Sequence, residues 1–405
     1  MPEAVIVAAA RSPIGRARKG SLAALRPDDL AAQMITAALD QVPALDRAEV
    51  QDLMLGVGMQ EGVTGGNIAR PVALLSGLAA TPATTVNRFC ASSIQTTRMA
   101  FHAIRSGEAH TLISAGVESI SMLGAKITDE DARNPRFQDA WERSDKRATR
   151  EIPAPWTEPT DDGALPDPYI AMGQTAENVA ELRGISRREQ DEYAVQSQQR
   201  AERAIASGFF ESDITPVTLP DGTVITADDS PRPGTTYEKV AALDPVFRED
   251  GTVTAGNACP LNDGAAALVV MSDERARELG IQPLARIVAT GVTGLNPEIM
   301  GLGPVEATRR ALANAGMSIG DIDLVELNEA FAAMVLPTVA DLGIDHEKLN
   351  VHGGAIALGH PWGQTGARIT TTLINSLRAR DGQLGLATLC VGGGQGMALI
   401  IERMS

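Results

Sequence analysis

Two cysteines are the side chains of this sequence best placed to form a covalent bond with a substrate. Cys90 follows the strand-like pair Thr85-Val86 and precedes a helical pattern over residues 91–104. A sulfur at the start of a helix faces unpaired backbone N–H groups and the positive end of the helix dipole, and both favour the nucleophilic thiolate. The alternative is a small buried hydrophobe, as most free cysteines are. The segment around Cys90 leaves both interpretations open.

Cys390 ends a strand-like run, and the glycine-rich segment Gly392-Gly393-Gly394-Gln395-Gly396 follows it. Glycines allow the backbone to approach a ligand closely, and their N–H groups can bind a developing negative charge. A phosphate cradle is a weaker interpretation, because the segment lacks the Lys-Ser/Thr ending of a P-loop and the spacing of a dinucleotide fingerprint.

His360 and Asn328 could supply a base and an amide. His360 is one of five histidines and stands between Gly359 and Pro361 in an irregular loop, which favours a general base. An exposed loop histidine without a task is the alternative. Asn328 comes directly after a strand that ends at Leu327, where ligands bind in parallel sheets, although an asparagine there could also cap a helix.

The four residues are more informative together than singly, because each lies at a strand end or in the loop that follows one. Two thiols, an imidazole and an amide suit covalent acyl transfer. One thiol attacks, the imidazole takes its proton, the second thiol moves a proton at carbon, and amides hold an oxyanion.

The elements that must position these residues occur twice along the chain. Each copy begins with a strand, a helix and a strand, and continues with a strand–helix–strand unit that contains Cys90 or His360. The first three elements are residues 5–7, 30–39 and 50–55 in the first copy. They are residues 286–289, 305–315 and 322–327 in the second copy. Strands alternating with helices at this spacing predict buried, mostly parallel sheets. Two such halves stacked face to face would form a five-layer α/β/α/β/α sandwich.

The stretch from about 121 to 257 interrupts the repeat. Residues 125–168 are rich in charge, proline and aspartate and predict a long surface excursion, whereas residues 175–205 predict a helix with an exposed charged face. Most of this charge is expected to be a solvated surface.

Composition excludes several classes of function. The formal net charge of −16 argues against nucleic-acid binding, and no run approaches the ~20 apolar residues that a membrane span requires. Three widely separated cysteines predict neither a disulfide framework nor a zinc site. The first residues lack the pattern of a signal peptide, so we expect a cytoplasmic protein without a metal.

The sequence closely resembles the thiolase family over nearly its whole length. The matching blocks are the segment around Cys90, Thr252 to Asn257 with Leu261 to Ala265, Asn328-Glu329-Ala330-Phe331, Gly353 to His360, and Cys390-Val391-Gly392. The resemblance implies two duplicated βαβαβαββ halves with an inserted loop domain. The halves would be residues 1–120, completed by about 262–282, and residues 283–405, with the loop domain at 121–261.

The resemblance also implies roles. Cys90 would be acylated, His360 would activate it, and Cys390 would exchange a proton with the acetyl-CoA enolate. Asn328 would hold a water in an oxyanion hole shared with His360, and the N–H groups of Cys90 and Gly392 would form a second hole. The loop domain would bind coenzyme A as a substrate, with no tightly bound cofactor; the implied contacts are Met172, Arg232, Lys239, Phe247, Cys259, Ala330 and Phe331.

The resemblance also bears on substrate and assembly. Ala171 stands where short-chain biosynthetic members resemble one another in carrying histidine, which favours a degradative 3-ketoacyl-CoA substrate and fatty-acid β-oxidation. A biosynthetic acetoacetyl-CoA enzyme and a sterol side-chain enzyme are the alternatives within the family. A Cys–His hydrolase and an inactive scaffold are the alternatives outside that activity. The family implies a homodimer or homotetramer, and a multienzyme β-oxidation partner is possible.

Overall fold

The computed structural model describes residues 1–124, 132–153 and 155–405. Its main feature is a ten-stranded mixed sheet, accompanied by a separate two-stranded ribbon. The strands are β1 (Ala4–Arg11), β2 (Gly15–Arg16), β3 (Asp52–Gly56), β4 (Ala83–Val86), β5 (Thr111–Ser119), β6 (Val217–Thr218), β7 (Val224–Ile225), β8 (Asn262–Ser272), β9 (Ala285–Gly294), β10 (Leu324–Leu327), β11 (Leu384–Val391) and β12 (Gln395–Arg403).

Thirteen α-helices are assigned in the described ranges. They are α1 (Pro27–Asp40), α2 (Ala69–Leu75), α3 (Ser92–Ser106), α4 (Gln138–Ala148), α5 (Met172–Arg183), α6 (Arg187–Ala206), α7 (Phe209–Asp213), α8 (Tyr237–Ala241), α9 (Asp273–Glu278), α10 (Gly303–Ala315), α11 (Ala332–Leu342), α12 (Ala355–Leu358) and α13 (Trp362–Ala379).

The sheet consists of two copies of one pattern. The first copy has the order β4-β3-β5-β8-β1, with parallel pairing among β4, β3 and β5 and antiparallel pairing on either side of β8. The second has the order β10-β11-β12-β9, with the same change from parallel to antiparallel pairing. The strand expected beside β10 is reduced to one bridge between Val325 and Leu349. Two residue pairs between β1 and β9 join the copies.

Each of the two copies forms one sheet layer of the molecule. Hydrophobic clusters show that these two sheet layers lie between three helical layers. One cluster fills the space between the first sheet and α1 and α2, and another lies between the second sheet and α10 and α11. The central cluster packs α3 and α13 between the sheets. These contacts confirm the predicted five-layer α/β/α/β/α sandwich.

Helix α13 is buried along almost its whole length, as a helix enclosed by protein on all sides must be. Small residues allow its close approach to its neighbours. A methyl group added to Gly366 would lie 2.4 Å from the backbone nitrogen of Ile94 in α3, and one added to Gly116 would lie 2.0 Å from the carbonyl oxygen of Gly363. Glycine is therefore required at both contacts.

Two predictions for the inserted segment need correction. The helix predicted over 175–205 is interrupted: α5 ends at Gly184 with a left-handed φ of +63°, and Ser186 caps α6 in a capping box with Glu189. Residues 125–131 and 154 of the predicted excursion lie outside the described residues. The remainder includes helix α4 and the buried Trp156, whose indole N–H donates to Glu298 at 2.8 Å, so it is partly packed rather than a simple surface excursion.

No helix in residues 1–124, 132–153 and 155–405 has both the length and the apolar character needed to cross a bilayer. The same residues contain no group of three or more acidic, histidine or cysteine side chains arranged to hold a metal ion.

Candidate active site

Cys90 lies in a tight 3-10 turn, Phe89–Ala91, between β4 and α3. The turn forces Phe89 to a φ of +42°, a left-handed conformation that is strained for a bulky residue. Asn87 stabilises the turn by accepting a hydrogen bond from the Phe89 N–H at 2.8 Å, and the Ser92 hydroxyl donates to the Phe89 carbonyl at 2.7 Å. The turn packs against β11 and the start of α13. Cys90 thus precedes α3, which begins at Ser92, and remains partly exposed.

Opposing influences act on the protonation state of Cys90. Burial of the sulfur beneath the surface raises the pKa of the Cys90 thiol well above its usual value, and the neighbouring Cys390 raises it further. A hydrogen bond from the Gly392 N–H acts in the opposite direction but is outweighed. Desolvation opposes formation of an unpaired thiolate more strongly than the local backbone favours it. In the free enzyme these influences favour the thiol, which is opposite to the effect of the helix start alone.

Cys390 is a buried residue near the end of β11 and pairs with Gly396 across the β11–β12 hairpin. Burial raises the pKa of its thiol to about 12. Gly393 and Gly394 make the hairpin turn with φ values of +73° and +76°. Glycine accommodates these angles without strain.

Arg88 connects this hairpin turn to the Cys90 turn. Its guanidinium donates to Gln95 at 2.9 Å and to Gln395 at 2.6 Å. The Gln395 side chain in turn donates to the carbonyl of Gly392 at 3.3 Å. These contacts fix the glycine turn of the second half over the cysteine of the first.

His360 is held on both sides of its ring and at its backbone. The side chain is 2% exposed, and the backbone N–H donates to the Asn262 amide oxygen at 3.0 Å. Nδ1 lies 2.7 Å from the Thr365 hydroxyl, which donates to the Pro361 carbonyl at 2.8 Å. Because that hydroxyl hydrogen is used, the arrangement favours hydrogen on Nδ1 and a lone pair on Nε2. Burial, with a smaller contribution from Arg368, lowers the pKa of His360 to about 3, so the ring is neutral.

Asn328 lies directly beside this histidine. Its side-chain nitrogen is 3.3 Å from Nε2 of His360, and its side-chain oxygen is buried without a hydrogen-bond partner in the described part of the chain. The alternative role as a helix cap is excluded, because α11 begins at Ala332 with Phe331 as its N-cap.

The third cysteine joins the same group. The Cys259 N–H donates to the Ala330 carbonyl at 3.0 Å, and Ala258 forms a bridge with Phe331. The Cys259 thiol interacts electrostatically with both Cys90 and Cys390, and burial raises its pKa. All three thiols of the chain therefore face one site.

An apolar wall adjoins the thiols. Phe247 and Phe331 pack edge to face with ring centres 6.1 Å apart, and both belong to a cluster with Met172, Ala330 and Cys390. The fold thus brings together four of the predicted coenzyme A contacts, which are Met172, Phe247, Ala330 and Phe331. Met172 and Phe331 are 159 positions apart in the sequence.

Next to Pro260 and Leu261 a cavity of about 380 Å³ is lined by Arg16, Arg18 and Arg232. The guanidinium groups of these arginines form no hydrogen bond or ion pair with the described residues. Arg232 was predicted, whereas Arg16 and Arg18 were missed, although the basic run Arg16 to Lys19 after β1 is a readable signal. Lys239 does not line this cavity; its ammonium donates to the Gly234 carbonyl at 2.8 Å.

Glu329 is a buried residue that sequence reasoning noted only as part of a motif. Its carboxylate accepts hydrogen bonds from Tyr193 at 2.8 Å, Ser197 at 2.7 Å, Asn350 at 2.8 Å and the backbone N–H of Ile356 at 3.0 Å. Tyr193 and Ser197 lie on α6, and Ile356 lies in the loop that ends at His360. Glu329 thereby fixes the inserted segment and the histidine loop to the strand end that carries Asn328.

Glu118, near the end of β5 in the first half, is a second buried carboxylate that was missed. Its buried carboxylate accepts from the N–H groups of Gly58 at 2.9 Å, Met59 at 3.2 Å and Gly363 at 2.9 Å. Gly363 lies in the first turn of α13, directly after the histidine loop. Burial raises the pKa of Glu118 to about 7 despite these three donors.

The chemistry available to this arrangement is specific. The arrangement provides a partly exposed thiol beside a backbone N–H donor and a second buried thiol, and it also provides a neutral imidazole paired with an amide. Such a set can attack a carbonyl carbon, stabilise the oxyanion and move protons without a metal ligand set.

Comparison with known proteins agrees with this geometry. The thiolase N-terminal domain family matches residues 4–274, and the thiolase C-terminal domain family matches residues 281–403. A 3-ketoacyl-CoA thiolase of Bacillus subtilis is 41% identical over 99% of this chain and 100% of its own. A beta-ketoadipyl-CoA thiolase of Acinetobacter baylyi is 42% identical over the full length of both chains.

A solved structure has the same fold. The crystal structure of the Bacillus anthracis acetyl-CoA acetyltransferase superposes with a TM-score of 0.87 at 41% identity, covering 100% of this chain and 99% of that one. The matches extend over both duplicated halves and the segment inserted between them. The chain belongs to the thiolase family and is an acyltransferase.

Proposed function

We propose that this chain catalyses the reversible, coenzyme A-dependent cleavage of a 3-ketoacyl-CoA into acetyl-CoA and a shortened acyl-CoA, through an acyl group carried on Cys90. The observation that supports this most is the convergence of the Gly392 N–H and the Cys390 thiol on the Cys90 sulfur. One thiol can hold the acyl group while the other exchanges a proton with carbon, and a hydrolase would not need the second thiol.

In the cleavage direction, the Cys90 sulfur attacks the 3-keto carbon as its proton passes to Nε2 of His360. Because burial makes both free ions unfavourable, this proton transfer accompanies the attack rather than preceding it. The bond between C2 and C3 then breaks, and the acetyl-CoA enolate takes the proton of Cys390. The products of this stage are acyl-Cys90, a protonated His360, a Cys390 thiolate and free acetyl-CoA.

In the second stage coenzyme A attacks the acyl group. Its thiol proton passes to the Cys390 thiolate, and the departing Cys90 sulfur recovers its proton from His360. The N–H groups of Gly392 and Cys90 would hold one oxyanion, and Asn328, through a water shared with His360, would hold the other. Each residue ends in its starting state, so the cycle balances.

Coenzyme A is proposed as a substrate that runs from the arginine cavity to the thiols, with no tightly bound cofactor. Arg16, Arg18 and Arg232 would meet its phosphates, since guanidinium groups suit phosphate oxygens. Its pantetheine arm would pass Cys259 and the apolar wall of Met172, Phe247, Ala330 and Phe331. The local positive charge would overcome the repulsion from a chain of net charge −16.

The arginine cavity can be tested by replacing Arg16 and Arg18 together with glutamine. We expect the KM for coenzyme A to rise about tenfold at unchanged kcat, because charge-assisted hydrogen bonds to the bound phosphates are lost. Arg136→Gln/Arg277→Gln removes the same charge at two exposed sites outside the cavity and is the matched control. An equal rise in the control would contradict the assignment.

We infer a degradative role in fatty-acid β-oxidation over a biosynthetic one. Ala171 caps α5 next to Met172, whose sulfur faces the Gly392 turn, and a methyl group there leaves more apolar room than the histidine of short-chain biosynthetic members. Relatives carry the names of both 3-ketoacyl-CoA thiolases and acetyl-CoA acetyltransferases. The acyl chain length of the preferred substrate decides between the degradative and the biosynthetic role.

The experiment compares kcat/KM for thiolysis of acetoacetyl-CoA, a long-chain 3-ketoacyl-CoA and 3-ketoadipyl-CoA. A long-chain preference of at least about tenfold would support the degradative role. A preference for acetoacetyl-CoA would overturn it in favour of the biosynthetic alternative, and a preference for 3-ketoadipyl-CoA would move the substrate to a dicarboxylic chain.

Cys390→Ala tests the reaction itself. We expect this variant to exchange acetyl groups between acetyl-CoA and Cys90 normally, while the carbon–carbon step slows by ~10²–10⁴-fold. Cys259→Ala is the matched control, because it removes a neighbouring thiol to which no proton transfer is assigned. Normal cleavage by the Cys390 variant would refute the assigned step.

Assembly, location and partners are inferred from the family. A homodimer, or a tetramer of dimers, is proposed, and β4 offers an edge at which a second copy could pair, because it pairs only with β3 among the described strands. Light scattering of the purified chain tests this. A cytoplasmic location and a multienzyme β-oxidation partner stay predictions.

A further inference from the structure

A second cavity, of about 370 Å³, is lined by residues other than those of the arginine cavity of the proposed coenzyme A path. Its walls come from α6, from the segment just before the histidine loop, and from the residue that follows α13. The two cavities share no lining residue. Its charged and titratable lining residues are Arg200, Arg203, Glu347, His352 and Arg380.

Arg200, Arg203 and Arg380 make the surface of this cavity cationic. Arg200 is fixed at the base: its side chain is 6% exposed, and its guanidinium donates to the carbonyls of Leu349 at 2.5 Å and His346 at 2.7 Å. Arg203 stands three residues further along α6 and therefore on the same face. Arg203 and Arg380 are exposed, and their guanidinium groups make no hydrogen bond or ion pair with residues of the described ranges.

The opposing charge in this cavity is small. Glu347 is its one carboxylate among the described lining residues, and it lies 3.8 Å from Arg200 with 85% of its side chain exposed. His352 stacks on Phe209 with ring centres 3.6 Å apart, and burial, followed by the charge of Arg380, lowers the pKa of His352 to about 4. The histidine is therefore neutral, and the cavity carries three positive charges against one negative.

We propose that this cavity is a second anion site that binds a phosphate-bearing small molecule, separate from the catalytic cleft. Many arginines elsewhere in this acidic chain are engaged with a carboxylate, whereas Arg203 and Arg380 face an open concavity. Arginine forks match phosphate oxygens, and a volume of a few hundred Å³ suits a diphosphate or a nucleotide.

The cavity adjoins the elements that hold His360. Val351 and His352 run directly into the loop that ends at His360, and α13 begins two residues after that histidine and ends just before Arg380. On α6, the Gln198 side chain donates to the Ile356 carbonyl at 3.3 Å within the same loop. An anion that bridges Arg203 and Arg380 would therefore draw together both supports of the histidine loop and stabilise the folded protein.

The test uses inorganic pyrophosphate as the probe and the full chain carrying Arg16→Gln/Arg18→Gln, without coenzyme A, so that anion binding in the first cavity is weakened. Calorimetry at low ionic strength should detect one pyrophosphate per chain and a rise in Tm. Arg203→Gln/Arg380→Gln should weaken this binding at least ~10-fold, the loss of charge-assisted hydrogen bonds to two guanidinium groups. The control Arg136→Gln/Arg277→Gln should retain it.

No binding to this chain, or an equal loss in the control, would overturn the proposal. Parallel titrations with ATP and with 3′,5′-ADP decide the source of the phosphate. Binding of either that depends on Arg203 and Arg380 supports the site, and the tighter of the two distinguishes a free nucleotide from the head group of a second coenzyme A. Acyl transfer to Cys90, followed in the same variants, reports separately on the proposed function.

Discussion

The two halves of the molecule use the same strand order but end their third strand in different ways. In the first half β4 is a full strand that passes into the tight Cys90 turn. In the second half the equivalent strand is a single bridge at Leu349, because Asn350 adopts a φ of +42° and its side chain bonds both backbone groups of Leu327. A long buried loop then leads to His360.

This difference separates two requirements. The nucleophile must reach a substrate carbonyl, and the first half presents Cys90 partly exposed on a strained turn. The base must be shielded from water and fixed in one orientation. In the second half, hydrogen bonds to Glu329 and Asn262 support the loop that holds His360. One scaffold, used twice, can therefore supply an accessible group and an enclosed one.

The largest expected effect comes from removing the enclosed base. His360→Ala should slow acylation of Cys90 by ~10²–10⁴-fold, because the thiol loses its proton acceptor. The measurement is the single-turnover rate with a 3-ketoacyl-CoA. His102→Ala, at an exposed position on α3, is the control. A rate within about threefold of wild type would show that another group takes the proton.

A smaller effect is expected from the support of the histidine loop. Glu329→Gln keeps the shape but removes the charge that four donors share, and we expect the free energy of unfolding to fall by ~1–3 kcal/mol. Urea denaturation measures it, with the exposed Glu306→Gln as control. An unchanged stability would mean that the loop does not depend on this carboxylate.

Glu118, the support in the first half, should change the pH dependence of stability. Its pKa rises from 4.5 to about 7 on folding, so the folded state binds the proton more tightly. Wild-type stability should therefore lose this contribution progressively as pH rises from 4.5 to 7. Glu118→Gln should flatten the curve in that window. Parallel curves for the two proteins would contradict the assigned shift.

The smallest expected effect concerns pH: neither His360 nor Cys90 should titrate in the pH profile of the acylation rate. Because burial lowers the pKa of His360 to about 3 and raises that of Cys90, neither group should change its charge between about pH 5 and 8 in the free enzyme. The rate of acylation should be flat across that range in Glu118→Gln, which lacks the carboxyl group with a pKa of about 7 near Cys90. An inflection near 6.5, the ordinary histidine value, would show that the ring is not enclosed as described.

Local patterns predicted the elements well and the long-range supports poorly. The helix predicted over 305–315 is α10, and the strand ends at Leu327 and Cys390 were placed within one residue. The roles of Glu118 and Glu329 depend on hydrogen bonds to residues 21 to 245 positions away, for which no single segment carries a signal.

The state of Cys90 could not be predicted for a similar reason. Its position before a helix is readable, but the desolvation that sets its pKa comes from the packing of both halves around it. Arg16 and Arg18 were readable as a basic run, yet their convergence with Arg232 requires the inserted segment to fold back over β2 and Leu261.

The central claim, that Cys90 carries the acyl group, is tested most directly by intact-protein mass spectrometry after mixing the chain with a 3-ketoacyl-CoA. We expect the mass of the wild type to increase by one acyl group and to return to its starting value when coenzyme A is added. The mass of Cys90→Ala should not change. No gain on folded wild type, or an equal gain on the Cys90 variant, would contradict it.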